Sequence, residues 1–255
     1  MEFRVLGPVE AEADGEQIAL DGAKQRTVLA VLLLERDSVV SDQRISELVW
    51  GHKTPATLNA QIYTYVSRLR KTLGPGVRIV RRSPGYLLQI GGSGFDLADF
   101  TELATRGAVE LAADRHEAAA KLLRGALTCW RGPALANVTE HLASAEAPRL
   151  EEARIAALEQ LFEAETAVGR HWLILPELVR QVDRHPLRER LRAQLMTALY
   201  RCERQAEALA VYDEGRRVLA AELGIDPGPL LRGVHRAILT SDPRLGNRGS
   251  SLAAG

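Results

Sequence analysis

Hydrophobic positions in the stretch EFRVLGPVEAEADGEQIAL fall in short runs broken at Gly7-Pro8 and Asp14-Gly15. Such runs predict a small antiparallel sheet with tight turns, and three short strands fit the segment. Beyond Asp21-Gly22 the apolar spacing becomes helical over AKQRTVLAVLLLER. A second helix follows Ser41, whose hydroxyl can cap the free amides of DQRISELVW, and Gly51 ends it. A third opens at Thr54-Pro55 and runs to about Leu73, where Gly74-Pro75-Gly76 breaks it. Two β-rich runs in VRIVRRSPGYLLQI then flank Arg82-Ser83-Pro84-Gly85 and predict a hairpin. Sheet, three helices and hairpin, in that order, are the elements of a winged helix-turn-helix domain.

The pattern changes after GGSG, Gly91 to Gly94, which reads as a short flexible joint. From Asp96 to about Thr240 the chain is rich in Ala, Leu, Glu and Arg at helical spacing. An α+β winged helix-turn-helix domain over residues 1–92 is therefore expected to precede an all-α domain over 96–240. Offsetting the helical half by 34 aligns Leu161 with Leu195, Phe162 with Met196, Ile174 with Ala208 and Leu178 with Tyr212. That is the period of tetratricopeptide repeats, in which helix pairs bury their apolar stripes by stacking. Pro186 falls at the end of one such unit. An earlier helix pair within TELATRGAVELAADRHEAAAKLLRGAL lies out of frame, with Trp130 to Pro148 as an insertion. A generic helical bundle is the alternative. Residues 241–255, polar and rich in Gly and Ser, predict a disordered tail.

Charge sharpens the first half. Lys and Arg balance Asp and Glu at 33 each, yet residues 1–47 hold ten acids and five Lys or Arg. From Leu48 to Phe95 there is no acid and there are seven cations: Lys53, Arg68, Arg70, Lys71, Arg78, Arg81 and Arg82. A zero net charge thus hides a field of one sign. On a wheel at about 100° per residue, Leu58, Ile62, Val66, Leu69 and Leu73 share one arc of the third helix, the stripe it buries. The opposite face carries Ala60, Tyr63, Thr64, Ser67 and Lys71, flanked by Asn59 and Arg70 on one side and Arg68 on the other. Small residues let such a helix approach base edges in a major groove about 12 Å wide, and Arg pairs bidentately with guanine. A solvated surface is the competing reading of an isolated cationic helix. The acid-free segment, the element order and the basic hairpin together favour double-stranded DNA as the partner.

In the hairpin, Arg81 and Arg82 are placed to lay guanidinium groups along phosphates or into a minor groove, or to stand as exposed strand charges. Lys24 and Arg26, early in the first helix, are candidates for phosphate contact, with an acid of the N-terminal sheet as the alternative partner of Arg26. Tyr63 lies toward the presumed DNA face and Tyr65 at the edge of the apolar stripe. No Walker phosphate loop, H-E-x-x-H or G-x-S-x-G occurs, and the six histidines have no metal-ligand spacing. Neither catalysis nor a cofactor nor a metal is expected. Cys129 and Cys202 fit no redox motif, and with no apolar run of membrane-spanning length a reduced, cytoplasmic chain is expected.

Three passages together resemble one family, the Streptomyces antibiotic regulatory proteins: FRVLGPVE with KQRTVLAVLLL, QIYTYVSRLRKTLG with RSPGYLL, and the long run from HPLRERLRAQLMTALYR to AAELGIDPGPLLR. The resemblance spans residues 3 to 240 and implies an OmpR-like DNA-binding domain joined to a bacterial transcriptional activation domain. It further implies an activator of a secondary-metabolite gene cluster, a side-by-side homodimer on promoter direct repeats that recruits RNA polymerase through its sigma and alpha subunits. On that resemblance Asn59, Tyr63, Thr64, Ser67, Arg68, Arg70 and Lys71 take the role of the recognition helix, and Arg81 and Arg82 that of the wing. Larger relatives add an ATPase and a sensor module that the resemblance does not cover, so nucleotide binding is not implied, and no phosphoacceptor receiver domain is expected. A peptide-binding adaptor built on the repeats, or a repressor with the same DNA-binding domain, are the rival functions.

Overall fold

The computed structural model describes residues 1–51, 55 and 57–246 of the chain. Its elements run β1 (Glu2–Arg4), β2 (Glu10–Ala13), β3 (Glu16–Gln17), α1 (Gly22–Leu34), β4 (Val39–Ser41), α2 (Asp42–Trp50), α3 (Leu58–Leu73), β5 (Arg78–Arg82), β6 (Gly85–Gln89) and β7 (Gly94–Phe95). Seven helices follow: α4 (Asp96–Ala112), α5 (His116–Thr128), α6 (Glu140–Ala167), α7 (His171–Arg184), α8 (Glu189–Arg201), α9 (Gln205–Leu223) and α10 (Pro229–Leu239). Among the described residues no helix is long and apolar enough to cross a membrane. The packing divides the chain into two compact units, one of residues 1–103 and 125–155, the other of 104–124 and 156 onward.

In the first unit, the sheet β3-β2-β1-β7 pairs β1 antiparallel to β2 and parallel to β7. The winged helix-turn-helix is built around α1, which is buried nearly all round because Val28 to Leu33 are uninterrupted apolar residues. α2 and α3 pack on it, and the second sheet, β4-β6-β5, closes the domain. Ser41 caps α2 as its sequence predicts, with Oγ accepting from the Arg44 amide at 3.1 Å. Gly51 ends that helix at φ 62°, and a Cβ there would also lie 2.5 Å from the His141 ring. Gly85 pairs with Ser41, and a Cβ there would fall 1.7 Å from the Val40 carbonyl oxygen, so only glycine lets β6 approach β4.

Several sequence expectations change here. GGSG is not a flexible joint throughout, because Gly94 and Phe95 form β7 on β1. The Asp96 carboxylate then accepts from the amides of Val5 and Leu6 at 2.9 Å, fastening the following helix to the first sheet. α3 starts at Leu58 rather than Thr54-Pro55, and Thr54 lies outside the described residues, as does Lys53. Strand β4 was invisible in the sequence because Val39-Val40 is too short a run to show a period.

The expected insertion from Trp130 to Pro148 is in fact a strap followed by a helix, since α6 begins at Glu140 and includes Pro148. The amides of Arg131 and Leu135 donate to the Leu6 and Val5 carbonyls at 2.8 and 3.0 Å. Asn137 clasps Val9, its Oδ1 accepting from the amide at 2.7 Å and its Nδ2 donating to the carbonyl at 3.2 Å. The Thr139 amide donates to Thr27 Oγ1 at 2.9 Å, while the Thr139 hydroxyl donates to the Leu48 carbonyl at 2.7 Å. This segment supplies hydrogen-bond partners that the buried connection between β1 and β2 and the helix-turn-helix would otherwise lack.

In the second unit, α7 packs on α8, α8 on α9, and α10 on both α8 and α9. α7 and α9 start 34 residues apart, at His171 and Gln205, as α6 and α8 end 34 apart, at Ala167 and Arg201. Of the residues aligned by that period, Leu161, Leu195, Phe162, Met196, Ile174, Ala208 and Leu178 are buried, and Tyr212 stacks on His235 at 3.8 Å. Glu165, buried among these helices, is satisfied by the guanidinium groups of Arg124 and Arg170. Residues 241–246 form turns, and Arg201 Nε donates to the Leu245 carbonyl at 2.9 Å. The predicted tail from residue 241 is thus ordered over its first part, and residues 247–255 lie outside the described residues.

Candidate DNA-binding surface

The helical wheel of α3 is realised in its packing for four of its five stripe residues, while Leu58 in the first turn is only half-buried. Ile62, Val66 and Leu69 are 0% exposed and Leu73 is 2% exposed. Asn59, Ala60, Thr64, Ser67, Arg68, Arg70 and Lys71 are exposed, and Tyr63 stands 60% exposed on the same side. Thr64 Oγ1 donates to the Ala60 carbonyl at 2.8 Å, a back-bond to its own helix that restrains its rotamer while the residue stays exposed. Tyr65 is half-buried against Trp50, with ring centroids 6.3 Å apart. The surface helix therefore presents one aromatic ring, small hydroxyls and cations, with no acid within α3.

The cations differ in how far they are committed. Arg70 donates from Nε and Nη2 to the Ile79 carbonyl at 2.8 and 2.6 Å, clipping α3 to β5. Arg81 is held by Asp42 through two bonds of 2.6 Å and lies over the Tyr86 ring, 4.7 Å from its centroid. The paired Asp42 carboxylate favours the charged guanidinium and raises the Arg81 pKa further above its ordinary value. Arg68, Lys71, Arg78 and Arg82 are exposed and make no side-chain hydrogen bond or ion pair among the described residues. These four are free to meet phosphate.

The α1 candidates separate as well. Lys24 is exposed, with Nζ 5.5 Å from the centroid of the Trp50 ring. Arg26 donates from Nε to the Asn137 carbonyl at 2.8 Å and from Nη1 to the Leu20 carbonyl at 3.0 Å. Its partners are backbone carbonyls rather than the acid considered from the sequence, and its fork braces the strap to α1. Asp42, Asn59, Tyr63, Arg70, Arg81 and Tyr86 line one cleft of about 280 Å³ between α2, α3 and the β5–β6 wing. Asp42 and Tyr86 escaped the sequence reading because their link to Arg81 spans three elements and has no periodic signature. Ser41, the cap beside Asp42, was the available signal for where that carboxylate would sit.

A winged helix-turn-helix with a bare basic helix and wing, followed by stacked helix pairs, is the architecture of a bacterial transcriptional regulator. Two family models divide the chain in that way: "Transcriptional regulatory protein, C terminal" matches residues 15–88 and "Bacterial transcriptional activator domain" matches residues 95–239. The chain belongs to the Streptomyces antibiotic regulatory protein family. It is 32% identical to the regulatory protein DnrI of Streptomyces peucetius over 100% of this chain and 97% of that one. It is 41% identical to the regulatory protein AfsR of Streptomyces coelicolor over 99% of this chain, which spans only 26% of AfsR. The solved structure of Mycobacterium tuberculosis EmbR, in complex with a low-affinity phosphopeptide, superposes with a TM-score of 0.88 at 37% identity, covering 95% of this chain and 65% of EmbR.

Proposed function

We propose that the chain is a promoter-specific activator that binds direct repeats as a side-by-side homodimer and switches on a secondary-metabolite, antibiotic-type gene cluster. In this reading residues 1–92 carry recognition and residues 96–240 carry activation, through contact with the sigma and alpha subunits of RNA polymerase. The protein works in the cytoplasm on the nucleoid. The observation that carries the proposal is the exposed, acid-free face of α3 continuing into a basic wing. Tyr63, Thr64, Ser67 and Asn59 face base edges, while Arg68, Lys71 and Arg82 clamp phosphates. Lys24 is placed for a flanking phosphate. Arg70 and Arg26 are committed to backbone carbonyls, Arg70 clipping α3 to β5 and Arg26 bracing the strap to α1.

The test is a mobility-shift titration on the promoters of the neighbouring biosynthetic genes, with intact and scrambled direct repeats, paired with a promoter-reporter measurement. Repeat-dependent binding and increased reporter output are expected. Lower output on expression would instead make the chain a repressor. A second reading, a peptide-binding adaptor, draws on a groove of about 490 Å³ in the second unit, whose lining includes Ala167, Arg190, Ala193, Thr197 and Leu230. An adaptor shows no preference between intact and scrambled repeats, which separates the two.

A further inference from the structure

In the free protein, Arg81 already holds an anion. Both oxygens of Asp42 accept from its fork at 2.6 Å, and the buried Tyr86 ring supports the guanidinium from one face. Asp42 is itself anchored, since it is the first residue of α2 and its amide donates to the Pro84 carbonyl of the wing turn at 3.2 Å. The positive end of the α2 dipole favours the carboxylate there. The arrangement opens onto the cleft shared with Asn59 and Tyr63 of α3, and the Arg81 side chain remains 52% exposed. Carboxylate and phosphate offer the guanidinium fork the same pair of oxygens, so one can replace the other without moving the arginine far.

We infer that Asp42 is an internal stand-in for a DNA phosphate, occupying the Arg81 fork in the free protein and surrendering it to a backbone phosphate of bound duplex. The inference rests on the reading of α3 and the wing as the DNA surface and adds a regulatory element to it. The Arg81 side chain is 52% exposed, so a phosphate can reach its fork, and the N-terminus of α2 still favours the released Asp42 carboxylate. The exchange is driven only where α3 and the free wing cations hold a phosphate in register, because Asp42 competes for Arg81 at every other site. Asp42 is therefore a positioning residue that selects against loosely seated DNA, and its removal converts Arg81 into a cation available to any duplex.

Fluorescence anisotropy with a labelled duplex of unrelated sequence, across a salt series, tests this with Asp42→Asn, Arg81→Ala and the double variant. Asp42→Asn is expected to bind that duplex about 3- to 5-fold tighter at low salt, the range of one exposed ion pair. In the Arg81→Ala background the same substitution is expected to give little gain. An equal gain in both backgrounds would show only the loss of an acid from the local field and would overturn the exchange. So would no gain, or weaker binding, from Asp42→Asn in a protein whose thermal unfolding matches the parent. Arg82→Ala serves as the control for the underlying reading. If it weakens binding while Asp42→Asn changes nothing, the exchange alone fails; if neither matters, the DNA surface has been misassigned.

Discussion

Arg68 and Arg70 are two residues apart on one helix, yet they have different work. Arg68 stands in solvent, whereas Arg70 ties α3 to the Ile79 carbonyl. Arg68→Ala is expected to weaken DNA binding and reduce the slope of log K against log salt by about 0.9, one phosphate's worth of counterion release, with unchanged thermal stability. Arg70→Ala is expected to cost about 1 kcal/mol in denaturant unfolding by removing a charged donor from a part-buried carbonyl. A stable Arg70→Ala protein with a reduced salt slope would reverse the two assignments. The sequence places both residues at the flank of the polar face of α3, and that placement is what the packing shows. It could not show which of them is bonded, because Ile79 lies on a strand whose position relative to α3 depends on the whole domain. The same holds for Arg26, whose partner Asn137 is more than a hundred residues away in sequence.

At the scale of elements, periodicity made legible what is long and regular. The helices of the winged domain, the hairpin and the 34-residue spacing were readable because each repeats one local rule. The short pieces were not: β4 and β7 have three and two residues, and both exist only through pairing with distant strands. The strap of residues 131–139 has no period, and its order comes from hydrogen bonds to Val5, Leu6, Val9, Thr27 and Leu48. Asn137→Ala leaves the amide of Val9, a residue 1% exposed, without its partner. A loss of about 2 kcal/mol in denaturant unfolding is expected, and unchanged stability would mean that the strap is dispensable. Within the second unit, burial and the charge of Arg201 push the His171 imidazole below its usual pKa, and the residue is 8% exposed. The unfolded chain then takes up a proton that the folded one refuses, so stability falls as pH drops through the unfolded value near 6.5 toward the lower folded value. Thermal unfolding at pH 7.5 and about pH 5.5 should show that loss, and His171→Gln should shrink it. An equal loss in the variant would place the pH sensitivity elsewhere.

For the molecule as a whole, the boundary drawn at GGSG marks a change of composition, and the two family models match residues 15–88 and 95–239. The packing follows a different line, because residues 125–155 belong with the winged domain. A fragment of residues 1–92 lacks both β7 and the strap, and so leaves Val5, Leu6 and Val9 without their backbone partners. Circular-dichroism melting should show it less stable than the corresponding part of the full chain, and a fragment with undiminished stability would count against the strap's role. The central claim is that the bare cations of α3 and the wing neutralise phosphates, whereas Arg70 stays committed to the Ile79 carbonyl. Its most direct test is the salt dependence of duplex DNA binding for the full chain and for Arg68→Ala and Arg82→Ala. A steep slope that falls by about 0.9 with each substitution is predicted. A shallow slope, or one that neither substitution changes, would contradict the account.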